Sequence, residues 1–425
     1  MEKTKQKKII EQELGKYQRP MATMFYVFFA IIFIYDYLSS SMMFIPFENM
    51  ILKGILWLPY DLIEPAFKLI LNLRHLIIIP AVYTIICEVR DRKRQVILAA
   101  LLLVGWFYAI YWREIEDYAV FSPLLVIVAC ANRDIKKIIK IAIVSGTSVI
   151  ALAFVLSQMG IIEDLVWQRP GIGMPDRHAF GMNYCTDLVS HVMFLIFLYM
   201  FLKRGRLKLT EYVVIGVLSV INILFVDGKI ALICTVFALG GCIFVTLYDK
   251  KQWKIPDGLM HIWDALMVSS YIIGAAILFG WVFIYKTDPD IWYNRYYSLE
   301  NRLHTNYRLL TQIPFSWFGT NFVQVGFGGK AEMPEYYFWV DCSYPRVYAM
   351  NGIVAFVVFM AILTWIVIRL KKRKLYFGMF LMAVIALDCM IEHHMIEIAY
   401  NTFLVCAFAN LDTIIEKKAR TVSGV

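Results

Sequence analysis

The sequence predicts an all-α polytopic membrane protein. Of its 425 residues, 60% are hydrophobic and the mean hydropathy is +0.62, whereas a soluble domain is closer to half apolar. Apolar runs of about 18 or more residues, the length that a membrane-spanning helix needs, recur along the chain. Lys and Arg cluster in the short polar segments between these runs, which is typical of cytoplasmic loops.

The hydropathy profile predicts about twelve spans. They lie near 22–40, 75–88, 95–112, 117–132, 138–158, 184–202, 211–226, 229–248, 264–285, 346–369, 375–390 and 396–412. The stretch 41–74 is apolar but carries several charged residues, and we interpret it as a surface or re-entrant helix on the outer face. An extra pair of crossings there is the alternative.

The charge distribution predicts that both termini are cytoplasmic. The inner segments of this topology hold most of the 42 Lys and Arg residues, so the net charge of +9 indicates membrane orientation and not nucleic-acid binding. We predict a basic cytoplasmic N-terminus over 1–21, leading into an uncleaved signal-anchor helix. One transmembrane catalytic domain over 22–412 and a cytoplasmic tail over 413–425 follow. Two long outer loops lie at about 159–183 and 286–345.

The basic residues on the predicted outer side are the informative ones, because they go against the positive-inside pattern. Seven of them are Arg169, Arg177, Lys229, Arg295, Arg302, Arg308 and Arg346. A guanidinium group forms two parallel hydrogen bonds to phosphate oxygens, so several outward Arg residues suggest an anionic lipid headgroup, a diphosphate above all. Loop 286–345 is rich in Tyr, Trp, Asn and Gly, which suits either a sugar-binding surface or an interfacial aromatic belt.

The stretch "RHAFGMNYCTD", residues 177–187, leads directly into the sixth predicted span. Asp187 and His191 lie four residues apart and so share one face of that helix. Ionisable side chains in the first turn of a membrane helix face a cavity or a partner more often than lipid.

The chain resembles the Wzy-type polysaccharide polymerases, which build bacterial capsule, exopolysaccharide and O-antigen. The family's "R-x-S-x-G-x-x-Y-P-T-D" stretch is similar to "RHAFGMNYCTD", although Ala179 and Cys185 replace the usual Ser and Pro. The family's "S-R-T" aligns with "VDGKIALI", where Lys229 is the basic residue. Three later stretches are also similar: "SLENRLHTNYRLLTQIPFSWFG", "WVDCSYPRVYAMNGIVAF" and "CMIEHHMIEIAYNTFLV". The resemblance covers about residue 170 onward.

The resemblance implies a glycosyltransferase-C-like fold in the bacterial cytoplasmic membrane, with the active site facing outward. It implies transfer of a glycan chain from undecaprenyl diphosphate to the non-reducing end of one lipid-linked repeat unit. The donor and acceptor are then both undecaprenyl-diphosphate-linked oligosaccharides, and a flippase and a chain-length regulator are expected partners. The alternatives are an O-antigen-ligase-like transferase and a flippase or transporter for the lipid-linked oligosaccharide.

Candidate site residues follow from the chemistry and the motif matches. Cations that hold the leaving diphosphate are Arg177, Arg302, Arg308 and Lys229. Candidates for the base that activates the acceptor hydroxyl are His178, Asp341, Glu392 and the His393–His394 pair. Further substrate contacts are predicted at Tyr184, Asp187, His191, Tyr344 and Asn401.

No metal or cofactor is predicted. The eight Cys are scattered without a C-x-x-C pair, so neither a disulfide framework nor a cysteine zinc site is expected. "EHH" at 392–394 contains adjacent His residues, which point apart on a helix and lack H-x-x-x-H spacing. The sequence "GFGG" at 326–329 has no following Lys-Ser/Thr, so no nucleotide-binding loop is expected.

Overall fold

The computed structural model describes residues 16–43, 73–112, 119–168, 176–287, 297–327, 330, 332 and 334–415. Most of the predicted N-terminal segment 1–21, the stretch 41–74 and the tail 413–425 therefore lie outside the described residues. So do Arg169 and Arg295.

The described chain is mostly helical, as predicted. Its α-helices are α1 (Gln18–Ser39), α2 (Ile78–Tyr83), α3 (Arg92–Tyr111), α4 (Phe121–Ala129), α5 (Ile135–Gln158), α6 (Cys185–Leu202), α7 (Leu209–Ile221), α8 (Lys229–Lys251), α9 (Asp257–Thr287), α10 (Tyr297–Gln312), α11 (Ser343–Lys372) and α12 (Tyr376–Asp388). A two-stranded antiparallel sheet joins β1 (Val166–Trp167) to β2 (Arg177–His178), with Trp167 opposite Arg177.

Eight described helices are long and apolar enough to cross a membrane. They are α1, α3, α5, α6, α8, α9, α11 and α7 with its π-helical extension to Val226. Their outward faces carry large exposed apolar side chains such as Leu103, Val144 and Phe283, which is the pattern of helices that face lipid. The class of helical membrane protein is therefore confirmed.

Four of the twelve predicted spans do not form a single helix of spanning length. Segment 75–88 divides into a 3₁₀ turn (Arg74–Ile77), α2 and a π-helical turn (Thr84–Glu88). Helices α4 and α12 are short and largely buried, and the described part of 396–412 has no α-helix.

The prediction of a helix over 396–412 is wrong for a physical reason. Two 3₁₀ turns replace it, Thr402–Ala407 and Leu411–Thr413. Side chains from neighbouring helices satisfy the carbonyls that a helix would satisfy internally: Arg94 donates to Phe408, Trp365 to Ala407 and Arg369 to Ala409. Non-helical backbone at membrane depth is tolerated where protein buries it, and nearly all of 398–409 is buried.

Helix α11 is interrupted at Gly352, which has φ +80° and ψ 173°. A Cβ at that position would lie 2.3 Å from the nitrogen of Gly319, so the loop 316–320 packs directly into the break. The hydroxyl of Tyr108 donates to the carbonyl of Asn351 at 2.7 Å and accepts from the nitrogen of Ala355 at 3.1 Å. The "FG" at 318–319 and Gly352 therefore meet in space. They are distant in sequence and belong to two of the stretches that resemble the polymerase family.

Candidate active site

Three predicted residues converge where α10, α11 and the segment after α12 meet. The Nη2 atom of Arg302 lies 3.2 Å from Glu392 Oε1 and 3.4 Å from Asp341 Oδ2, and its Nε donates to the carbonyl of Ile391 at 3.0 Å. We call these three side chains the Arg302 cluster. Exposed fractions are 18% for Arg302, 25% for Asp341 and 4% for Glu392. Asp341 and Arg302 are therefore the members that are partly open to solvent.

Helix α10 presents Arg302 because its other face is apolar. Leu303, Asn306 and Leu309 recur every three residues and are buried, so Arg302 lies beside the buried stripe. Ser343, the first residue of α11, fixes the opposite wall of the site. Its hydroxyl donates to the carbonyl of Glu392 at 2.6 Å and accepts from the nitrogen of Met395 at 3.2 Å.

The electrostatics of the cluster follow from two carboxylates sharing one guanidinium. Burial raises the pKa of the Asp341 carboxyl, and the charges of Arg302 and Arg346 oppose that rise. Burial also raises the pKa of Glu392, although Arg302 stabilises its charged form. The pKa of Arg302 is raised by the two acids despite its own burial, so it remains a permanent cation.

A column of stacked rings lies behind the Arg302 cluster. His191 stacks on Tyr400 at 3.8 Å between ring centroids, and Tyr400 stacks on His394 at 3.5 Å. Tyr37 contacts the other face of His191 at 4.1 Å, and His393 lies 4.2 Å from His394. The column links the interior of the helical bundle to the carboxylates near Arg302.

Arg177 is the first residue of β2, in the small two-stranded sheet. Its Nε donates to the carbonyl of Val226 at 2.9 Å. Tyr184, the residue before α6, lies within electrostatic reach of both Arg177 and Asp341, and Arg302 lies within reach of Tyr184. Tyr184 stacks on Phe327 at 5.3 Å. Tyr184 is therefore the residue that interacts electrostatically with both predicted phosphate-binding Arg residues.

An apolar groove of about 1120 Å³ opens beside Arg177. Side chains of α5, α6, α7 and α8 line it from one end of the bundle to the other, among them Ile150, Val192, Leu218, Phe225 and Leu232. His178 and Asp164 line the end near Arg177, and Tyr199 and Glu211 line the opposite end. Its volume exceeds the usual range of small-molecule pockets, and its lining suits a long hydrocarbon chain.

Several predicted site residues have other surroundings. Tyr344 and Asn401 are fully buried; the Tyr344 hydroxyl donates to the carbonyl of Ala386 at 2.9 Å, and the Asn401 amide donates to that of Met395 at 2.8 Å. His191 is also fully buried. All three side chains are closed off from solvent in this structure, and the substrate contacts predicted for them stay predictions.

The remaining predicted residues divide between the site and its surroundings. Asp187 interacts electrostatically with His394, Glu397 and Asp341. Arg308 packs over Tyr336 and Phe338 and donates to the Tyr336 hydroxyl at 3.0 Å.

Lys229 is the exposed first residue of α8. The Nδ1 atom of His178 lies 2.7 Å from Asp164 Oδ2, and both residues line the groove. No residue of the Arg302 cluster lines the groove.

Sequence reasoning missed Asp164, Glu397 and Tyr400. Asp164 accepts from the nitrogen of Phe180 at 2.6 Å as well as pairing with His178. Glu397 accepts from His394, and Tyr400 forms the centre of the ring column. An acid three residues after the "EHH" stretch was the available signal for Glu397.

Comparisons with known proteins leave the family open. No family model matches the chain, and searches of curated proteins and of solved structures find no significant similarity.

Proposed function

We propose that this chain is a membrane glycosyltransferase that polymerises lipid-linked oligosaccharide repeats into a bacterial surface polysaccharide. The observation that carries the proposal is the Arg302 cluster, which presents a partly exposed guanidinium and carboxylate. The bundle-length apolar groove supports it, because His178, the neighbour of Arg177 in the chain, lines one end of that groove. A polyprenyl diphosphate sugar needs both features: a cation for its diphosphate and an apolar channel for its tail.

The proposed topology has about twelve crossings, both termini in the cytoplasm and the site on the outer face of the cytoplasmic membrane. Contacts at the two ends of segment 74–88 support one of the crossings that is not a single long helix. Arg74 lies over the ring of Tyr35, near the end of α1, whereas Glu88 pairs with Arg133, just before α5. Segment 74–88 therefore runs from one end of the bundle to the other, as a crossing does.

We assign the donor diphosphate to Arg177 and Arg302 and its polyprenyl tail to the groove. Asp341 is the more exposed acid and makes the longer contact with Arg302. A phosphate oxygen that takes the place of Asp341 on Arg302 would release this carboxylate for the acceptor hydroxyl. Glu392, which is nearly buried, keeps Arg302 in position.

In the proposed reaction the acceptor hydroxyl oxygen forms a bond to the anomeric carbon of the donor, and the bond from that carbon to the diphosphate breaks. Asp341 takes the hydroxyl proton, and undecaprenyl diphosphate leaves with its charge held by the two Arg residues. Because a diphosphate is already a good leaving group, most of the rate enhancement comes from positioning and from these cations.

The test is the length of the glycan on its lipid carrier in cells whose own copy of the chain is deleted. We expect wild type to restore long polymer, and Arg177→Ala and Arg302→Ala to leave single lipid-linked repeats. Arg302→Lys should also be impaired, because the planar fork is lost while the charge stays. Arg206→Ala is the matched control, since Arg206 pairs with Asp249 at an exposed position.

Other outcomes of the deletion would refute the proposal in distinguishable ways. Full-length polymer that stays on its lipid would indicate a ligase. Repeats confined to the cytoplasmic leaflet would indicate a flippase. Normal polymer from both Arg→Ala variants would show that these residues do not bind the donor.

A further inference from the structure

Glu392, His393 and His394 form a compact set of metal-ligating groups. Each offers a donor atom, and these atoms lie within 4.8 Å of one another. The expectation that adjacent His residues diverge assumed a helix. Residues 389–394 instead form turns after α12, and the two imidazole centroids are only 4.2 Å apart.

Glu397 contacts both imidazoles on one edge. Its Oε2 lies 3.1 Å from His394 Nδ1, and its Oε1 lies 3.8 Å from His393 Nε2. Among the described residues, the other nitrogen of each ring, His393 Nδ1 and His394 Nε2, is buried without a hydrogen-bond partner. His394 thus has the arrangement that orients metal-binding histidines, a carboxylate hydrogen-bonded to one ring nitrogen and the second nitrogen unpartnered, whereas the 3.8 Å contact of His393 is longer than a hydrogen bond.

The surroundings of the two histidines are rich in acids. Asp187, Asp341, Asp388, Glu392 and Glu397 lie within electrostatic reach of one another or of His394, whereas the neighbouring guanidinium groups are those of Arg302 and Arg346. Both carboxylate oxygens of Asp388 are buried without a hydrogen-bond partner among the described residues. Of these acids Asp388 and Glu392 are buried, and buried carboxylates are costly unless protons or a cation compensate them.

We propose that Glu392, His393 and His394 bind a divalent first-row transition-metal ion, and that Glu397 is a positioning residue for the two imidazoles. Two nitrogens and one oxygen favour ions such as Zn²⁺ or Co²⁺ over Mg²⁺ and Ca²⁺, which prefer oxygen ligands. The site reverses our expectation from the sequence that the chain binds no metal. It does not depend on the proposed reaction, because binding is measured without turnover.

The experiment uses the full-length chain, purified in detergent through a tag without histidine and stripped with a chelator. Zn²⁺ is titrated in competition with a chromophoric chelator, and Co²⁺ binding is followed by its visible absorption. We expect one equivalent per chain. Glu397→Gln should lower the affinity about 10- to 100-fold, the usual effect of losing a partner that orients a ligand. His393→Ala with His394→Ala should abolish the site.

His304→Ala is the matched control, because His304 contacts Tyr285 away from this set and should leave the affinity unchanged. Size-exclusion profiles and far-ultraviolet circular dichroism verify that each variant is folded. If the double variant does not fold, Glu397→Gln decides, since it keeps all three proposed ligands. Failure of the folded wild type to bind a stoichiometric ion would overturn the proposal, as would equal affinity in Glu397→Gln and wild type.

Discussion

Replacing Arg302 by Met removes the guanidinium that Asp341 and Glu392 share. The structure gives Arg302 a 3.2 Å contact with a carboxylate that is 4% exposed and a 3.4 Å contact with one that is 25% exposed. Leaving Glu392 buried without its partner costs about 3–5 kcal/mol by comparison with other buried pairs. The more exposed Asp341 adds about 0–1 kcal/mol. We therefore expect Arg302→Met to be less stable by about 3–6 kcal/mol.

A second substitution separates stability from activity. In Arg302→Met with Glu392→Gln, no uncompensated charge remains at position 392, so we expect most of the lost stability to return. Polymerisation should stay about 100- to 1,000-fold below wild type, the usual effect of removing a group that stabilises transition-state charge.

The assays are thermal unfolding in detergent and polymer formation in isolated membranes. Unfolding is measured with a chelator present, so that any bound metal makes no contribution. The reasoning is refuted if Arg302→Met unfolds at the wild-type temperature. It is also refuted if the double variant regains polymerisation together with stability.

Three further predictions concern the helix break and the groove. Gly352→Ala should lower stability by at least about 1–3 kcal/mol, because its backbone conformation is essentially restricted to glycine and the new Cβ would also clash with Gly319. The amount of folded protein in membranes checks this. Tyr108→Phe should cost about 1–3 kcal/mol in thermal unfolding, since two buried backbone groups lose their partner. Equal unfolding temperatures for the variant and wild type would contradict that role. Leu218→Trp narrows the groove and should slow polymerisation of long-tailed donors but not of short-tailed ones, whereas Val217→Trp, outside the lining, should have little effect.

Hydropathy predicted the long helices because each had to satisfy its backbone within itself and meet lipid along its length. It could not predict the segment 396–412, which is equally apolar. There the carbonyls of Ala407, Phe408 and Ala409 bond to side chains of Trp365, Arg94 and Arg369, which are distant in sequence. Composition does not reveal that a neighbouring helix has replaced the internal hydrogen bonds.

Part of the candidate site could be predicted from charged residues at positions where a membrane protein seldom places them, on the outer side or near hydrocarbon. Arg302 was chosen because an outward Arg opposes the positive-inside pattern, and Glu392 because ionisable groups near hydrocarbon are costly. Asp341 was chosen from its motif match, and the three side chains converge. Tyr344 was chosen on similarity alone, and its hydroxyl bonds to the backbone of α12. The close approach of His393 and His394 was not predictable, since it depends on where α12 ends.

The most direct measurement of function uses the purified chain in proteoliposomes, with a single lipid-linked repeat unit as the only glycan. We expect a ladder of glycan lengths on the polyprenyl carrier, with one undecaprenyl diphosphate released per added repeat, and no ladder with Arg302→Ala. Folded wild-type protein that leaves every glycan at one repeat would contradict the proposed polymerase.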